Sequence, residues 1–79
     1  MTVNKTLTLY STSHCHLCDA AAAILNKMPA KPFAIVEITD NEQLLLTYGT
    51  RIPVLRREDN SAELNWPFNA QDIVQFLSD

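Results

Sequence analysis

Apolar residues recur along this chain with two periods, and the switches between them mark out its elements. Residues 6–10, Thr-Leu-Thr-Leu-Tyr, alternate with a period of two and are rich in strand formers, which predicts a first strand. Ser11, Thr12 and Ser13 follow, each a candidate helix N-cap. Beyond them Leu17, Ala21, Ile24, Leu25 and Met28 recur at steps of four, three, one and three, which is one face of an amphipathic helix. The alanines at 20–23 support that helix by propensity, and Lys27 and then Pro29 suit its end.

Residues 33–38 are apolar except for Glu37, as in a strand covered on both faces. Thr39-Asp40-Asn41-Glu42 has the spacing of a capping box and predicts a second helix carrying Leu44, Leu45, Leu46 and Tyr48. Gly49, the sole glycine, stands where a left-handed residue would close that helix. Ile52-Pro53-Val54-Leu55 begins a third strand. The glycine-free turn after it places Asn60 where a left-handed conformation is wanted. Ala62, Leu64 and Trp66 alternate with Glu63 and Asn65 as a half-buried fourth strand. Asn69 then caps a last helix with Asp72 in its first turn, Ile73, Phe76 and Leu77 facing inward, and Phe68 stapled against Ile73. The predicted order is β-α-β-α-β-β-α: an α/β sandwich of three helices on a four-stranded mixed sheet, the first two strands parallel and the last two a hairpin.

Seventy-nine residues suffice for a single domain over 1–79, and 47% hydrophobic with 19% charged residues excludes a disordered chain. The formal net charge of −3 and the scattered basic residues argue against a nucleic-acid partner. The one adjacent basic pair, Arg56-Arg57, reads as a solvated strand end, and Tyr10 and Trp66 read as packing residues. No apolar run approaches the ~20 residues of a membrane span. Residues 1–5 lack the apolar core of a signal, so the expected compartment is the cytoplasm, and the expected state a monomer without nucleic-acid or membrane partners.

That expectation changes how the two cysteines read. Cys15-His16-Leu17-Cys18 holds both of them, at the junction of the first strand and first helix. In a reducing compartment a close pair is catalytic or metal-binding rather than a staple. A free cysteine is only about 3% thiolate at pH 7, whereas the unpaired amides of a helix N-terminus favour the anion. Cys15, nearer the helix start, is the expected attacking thiol, and Cys18, one turn on, the resolving thiol. His14 and His16 flank Cys15 and are candidates for tuning its acidity, since an imidazole carries charge near neutrality.

With this motif after residues 7–10, and Tyr48-Gly49-Thr50-Arg51-Ile52-Pro53-Val54-Leu55 about 35 residues beyond, the chain resembles the thioredoxin superfamily over essentially its whole length. It looks most like the small bacterial glutaredoxin-like proteins. The resemblance implies the thioredoxin-like fold and thiol–disulfide exchange with a protein or small-molecule client. It also implies a cis bond at Ile52-Pro53, with Ile52 and Pro53 holding the client backbone as an added strand. Arg51 is a candidate to attract a client carboxylate. No resident cofactor is implied; glutathione, a thioredoxin or a reductase would reset the pair. The chain departs from the glutaredoxin pattern in three places. His16-Leu17 stands for Pro-Tyr between the cysteines, residues 65–70 lack the Gly-Gly turn and acidic residue that hold glutathione, and residues 11–13 lack a basic residue. Glutathione therefore enters only as an external reductant. Two alternatives stay open: a redox-inactive binding module on the same fold, and a zinc or iron–sulfur site shared between subunits through the same cysteines.

Overall fold

A computed structural model describes residues 7–28 and 33–78. The expected strand residue Thr6, the helix-ending Pro29 and residues 1–5 lie outside the described residues. The elements are β1 (Leu7–Ser11), α1 (His16–Lys27), β2 (Phe33–Glu37), a 3₁₀ turn (Ile38–Asp40), α2 (Glu42–Tyr48), β3 (Val54–Arg57), β4 (Glu63–Asn65) and α3 (Ala70–Phe76). The sheet runs β2-β1-β3-β4, with β1 parallel to β2 and antiparallel to β3, and β3 antiparallel to β4. This is the α/β arrangement that the patterning predicts, and the thioredoxin-like architecture that the resemblance implies.

The pleat of β1 separates two cores. Leu7 and Leu9, with Leu55 of β3, face Ala21 and Leu25 of α1 and Ile73 of α3, and Phe68 closes this cluster. Tyr10 and Val54 face the other way, onto Ile38, Leu44, Tyr48 and Ile52. Helices α1 and α3 thus cover one face and α2 the other. Phe68 and Ile73 share a core, and Asn69 with Asp72 forms a reciprocal capping box at α3.

Several sequence expectations are corrected by local physics. Strand β2 lies at an edge of the sheet and is not covered on both faces, since Ala34 and Ile35 are exposed, Ile35 by 57%. Helix α1 is capped by Cys15 rather than by residues 11–13. Leu17 is not on its buried face but 51% exposed; Cys18 takes the inward position above Ala21 and Leu25. The cap of α2 is Asn41, whose Oδ1 accepts from the Gln43 and Leu44 amides, because residues 38–40 are spent in the 3₁₀ turn.

Gly49 is right-handed, with φ −52°; glycine is needed because a Cβ would stand 2.5 Å from the Leu45 carbonyl oxygen. In the β3–β4 turn it is Ser61, not Asn60, that is left-handed, with φ 60°. Asn60 instead accepts the Ala62 amide with its side chain at 3.0 Å, a side-chain turn that spares its own backbone. Arg57 is no solvated strand end. It is 2% exposed, clamps Asp59 through two hydrogen bonds of 3.0 and 2.7 Å, and donates to the Phe76 carbonyl at 2.8 Å. The burial is tolerable because a fork-shaped guanidinium meets a carboxylate in matching geometry.

Candidate active site

The topology gathers the motif residues at one end of the sheet. Tyr10 pairs with Val54 in the antiparallel β1–β3 ladder, so the chain leaving β1 toward Cys15 and the chain entering β3 from Ile52 and Pro53 meet at the same edge. Ser11 pairs with Glu37, which brings the end of β2 alongside. Pro53 is buried, Ile52 half-buried, and the Ile52–Pro53 bond is cis, as is Trp66–Pro67.

Cys15 and Cys18 are joined by a disulfide, with their Cα atoms 5.2 Å apart. Cys15 has extended backbone and occupies the N-cap of α1. Its Sγ accepts the Cys18 amide at 3.2 Å, where a serine or aspartate oxygen would ordinarily sit. On reduction the same N–H and the helix dipole favour a thiolate at that position. Cys15 is half-buried and Cys18 only 2% exposed. His14 and His16 are both exposed, and His14 is left-handed with φ 60°. Among the described residues no three His, Cys, Asp or Glu side chains converge on a metal position. No described helix is long and apolar enough to cross a membrane.

Arg51 is exposed but engaged. Its Nε donates to the Thr47 carbonyl at 3.1 Å, its Nη1 reaches Glu63 at 3.4 Å, and its guanidinium lies 4.9 Å from the centre of the Tyr48 ring. The Tyr48 hydroxyl donates to the other Glu63 oxygen at 2.6 Å, and its ring stacks on Tyr10 at 4.2 Å. Burial, and then the Glu63 carboxylate, hold that hydroxyl protonated, above the ordinary phenol range. The Ile52 amide donates to the Tyr48 carbonyl at 3.1 Å.

Glu37 is the residue that the patterning passed over. Its carboxylate accepts from the Ser13 amide and hydroxyl and from the Thr39 amide and hydroxyl. The Thr12 side chain is the largest influence lowering its pKa, from 4.5 to about 2, followed by that of Thr39. The signal was present in the sequence: one acid interrupting an apolar strand at its last position.

The chain matches the family model described as Glutaredoxin-like domain (DUF836) over residues 6–78. The X-ray structure of target protein XcR50 from X. campestris is 44% identical, with TM-score 0.83 over 90% of this chain and 93% of that one. The solution structure of the same target gives TM-score 0.79, at 44% identity over 90% of each chain. The solution NMR structure of protein Ne2328 from Nitrosomonas europaea is 28% identical, with TM-score 0.75 over 99% of this chain and 96% of that one. No curated protein matches. A glutaredoxin-like domain with its C-x-x-C pair at disulfide distance supports a thiol redox role.

Proposed function

The chain belongs to the glutaredoxin-like family, and from that premise we propose that it is a thiol–disulfide oxidoreductase. The Cys15 thiolate attacks one sulfur of a client disulfide. The client S–S bond breaks, its departing thiolate takes a proton, and a Cys15–client mixed disulfide forms. Cys18 then gives up its proton and attacks Cys15 Sγ, expelling the second client thiolate and closing the Cys15–Cys18 bridge. Two electrons have passed to the client, and an external thiol reductant (glutathione, a thioredoxin or a reductase) restores the dithiol. The cytoplasm is the compartment that suits such a cycle, and a monomer suffices for it.

The observation that carries this reading is the closed cysteine pair on the first turn of α1, with Cys15 Sγ as the helix cap. Ile52 offers its carbonyl to an extended client, and Pro53 packs below it. A client carboxylate approaching Arg51 would have to share it with Glu63. At the start of α3, one Asp72 carboxylate oxygen accepts the Asn69 amide at 3.0 Å and the Asn69 side chain accepts the Asp72 amide at 2.8 Å, so the acidic side chain there is engaged in the helix cap. These contacts favour a protein disulfide as client over a glutathione adduct.

Substitution separates the roles. Cys15→Ser abolishes insulin reduction, whereas Cys18→Ser halts at the first step and accumulates a mixed disulfide detectable by intact mass. Full activity in both variants would overturn this mechanism, and absence of insulin reduction by the wild type would leave a binding module as the better description.

A further inference from the structure

Between the end of β1 and the cap of α1 only residues 12–14 intervene, and their course decides where Cys15 points. Glu37 grips that course from the neighbouring strand. One carboxylate oxygen accepts the Ser13 amide at 3.0 Å and the Ser13 hydroxyl at 3.2 Å. The other accepts the Thr39 hydroxyl at 2.9 Å and the Thr39 amide at 3.3 Å. A carboxylate has about four lone-pair positions, and these four donors, with the Thr12 side chain beside them, leave it little freedom to turn. A single residue, His14, separates the gripped Ser13 from Cys15, and it is left-handed with φ 60°. That conformation is uncommon outside glycine, histidine being among the few side chains enriched in it, and it persists where the surroundings favour it.

We propose that Glu37 is a positioning residue for the attacking thiol, holding Ser13 so that His14 turns left-handed and Cys15 Sγ meets the Cys18 amide. When the grip is released, His14 returns to ordinary backbone and Cys15 swings off the axis of α1. Its sulfur then loses the hydrogen bond that favours the thiolate. This extends the oxidoreductase reading above, but its test needs no client.

The experiment measures the pH dependence of iodoacetamide alkylation at Cys15 in the reduced protein, beside a thermal melt. Glu37→Asp keeps the charge but is one methylene too short to span Ser13 and Thr39. It should slow alkylation at pH 7 several-fold by lowering the thiolate fraction, and move the inflection upward; one pKa unit changes that fraction by at most about tenfold. Glu37→Gln removes a negative charge, which alone would acidify Cys15, so an upward inflection there too shows that lost grip outweighs lost charge.

Unchanged kinetics in Glu37→Asp with faster alkylation in Glu37→Gln would mean that Glu37 acts by charge, and overturns the proposal. A lower melting temperature with unchanged kinetics in both variants overturns it as well. Should either variant fail to fold, Ser13→Ala deletes one donor of the same grip and should slow alkylation roughly twofold or more; no change there is equally fatal. Absent client turnover in the wild type would count against the oxidoreductase reading alone.

Discussion

Single side chains at this site do work that their type does not announce. Cys15 is both the expected nucleophile and a helix cap, and no preference scale for caps would select it over Ser13. Arg57 looked solvated because it adjoins another arginine and a polar turn. Its burial depends on Asp59, two residues on, and on the end of α3, which no local pattern reveals. Glu37 and Asp59 are both acids held below their usual range, Glu37 at about 2 by the Thr12 and Thr39 side chains first, Asp59 by the Arg57 guanidinium first.

The sign of the consequence follows from linkage. In the unfolded chain Glu37 takes up its proton near 4.5, whereas in the folded chain it does so only near 2. Its contribution is therefore complete above about pH 4.5 and drains away as pH falls toward 2. Thermal melts across that window should show a shallower decline for Glu37→Gln than for wild type, with Asp59 supplying part of the slope that remains. Parallel curves would contradict the assignment.

Among the elements, what proved legible was what is written locally. The cap at Asn69 with Asp72 in the first turn, the alternation of residues 62–66, and the inward Ala21 and Leu25 need only a few neighbours to declare themselves. Termini set by a competing turn were not legible: the 3₁₀ segment at residues 38–40 moves the cap of α2 from Thr39 to Asn41. The apolar run of β2 was equally opaque, because an edge strand beside α1 and a central strand present the same composition. Gly49 was located correctly for the wrong cause, a close approach to Leu45 rather than a left-handed turn. For α3 the expectation is quantitative. Asn69→Ala removes the acceptor for the Asp72 amide and should cost about 1 kcal/mol, lowering the melting temperature by roughly 4–8 °C in a chain of this size. A melt indistinguishable from wild type would mean that the box contributes nothing.

At the scale of the whole molecule, function rests on the way three chain ends meet. Antiparallel β1 and β3 place residues 12–15 and 52–53 at one edge of the sheet, and parallel β2 delivers Glu37 to the same place. The resemblance to the thioredoxin superfamily implied the meeting of the first two, Ile52-Pro53 facing the C-x-x-C pair. Glu37 was marked by its place at the end of an apolar strand, but it takes the residue-level register, Ser11 opposite Glu37, to bring it to the loop. His14 and His16 flank Cys15, and both are exposed.

The most direct measurement is the site and pH profile of alkylation in the fully reduced wild-type protein, with each cysteine quantified by peptide mass. Cys15 should react first, with an inflection below that of a free cysteine peptide, and His16→Leu should shift that inflection upward. Preferential labelling of Cys18, or a Cys15 inflection no lower than that of the peptide, would contradict the claim that this fold makes Cys15 its nucleophile.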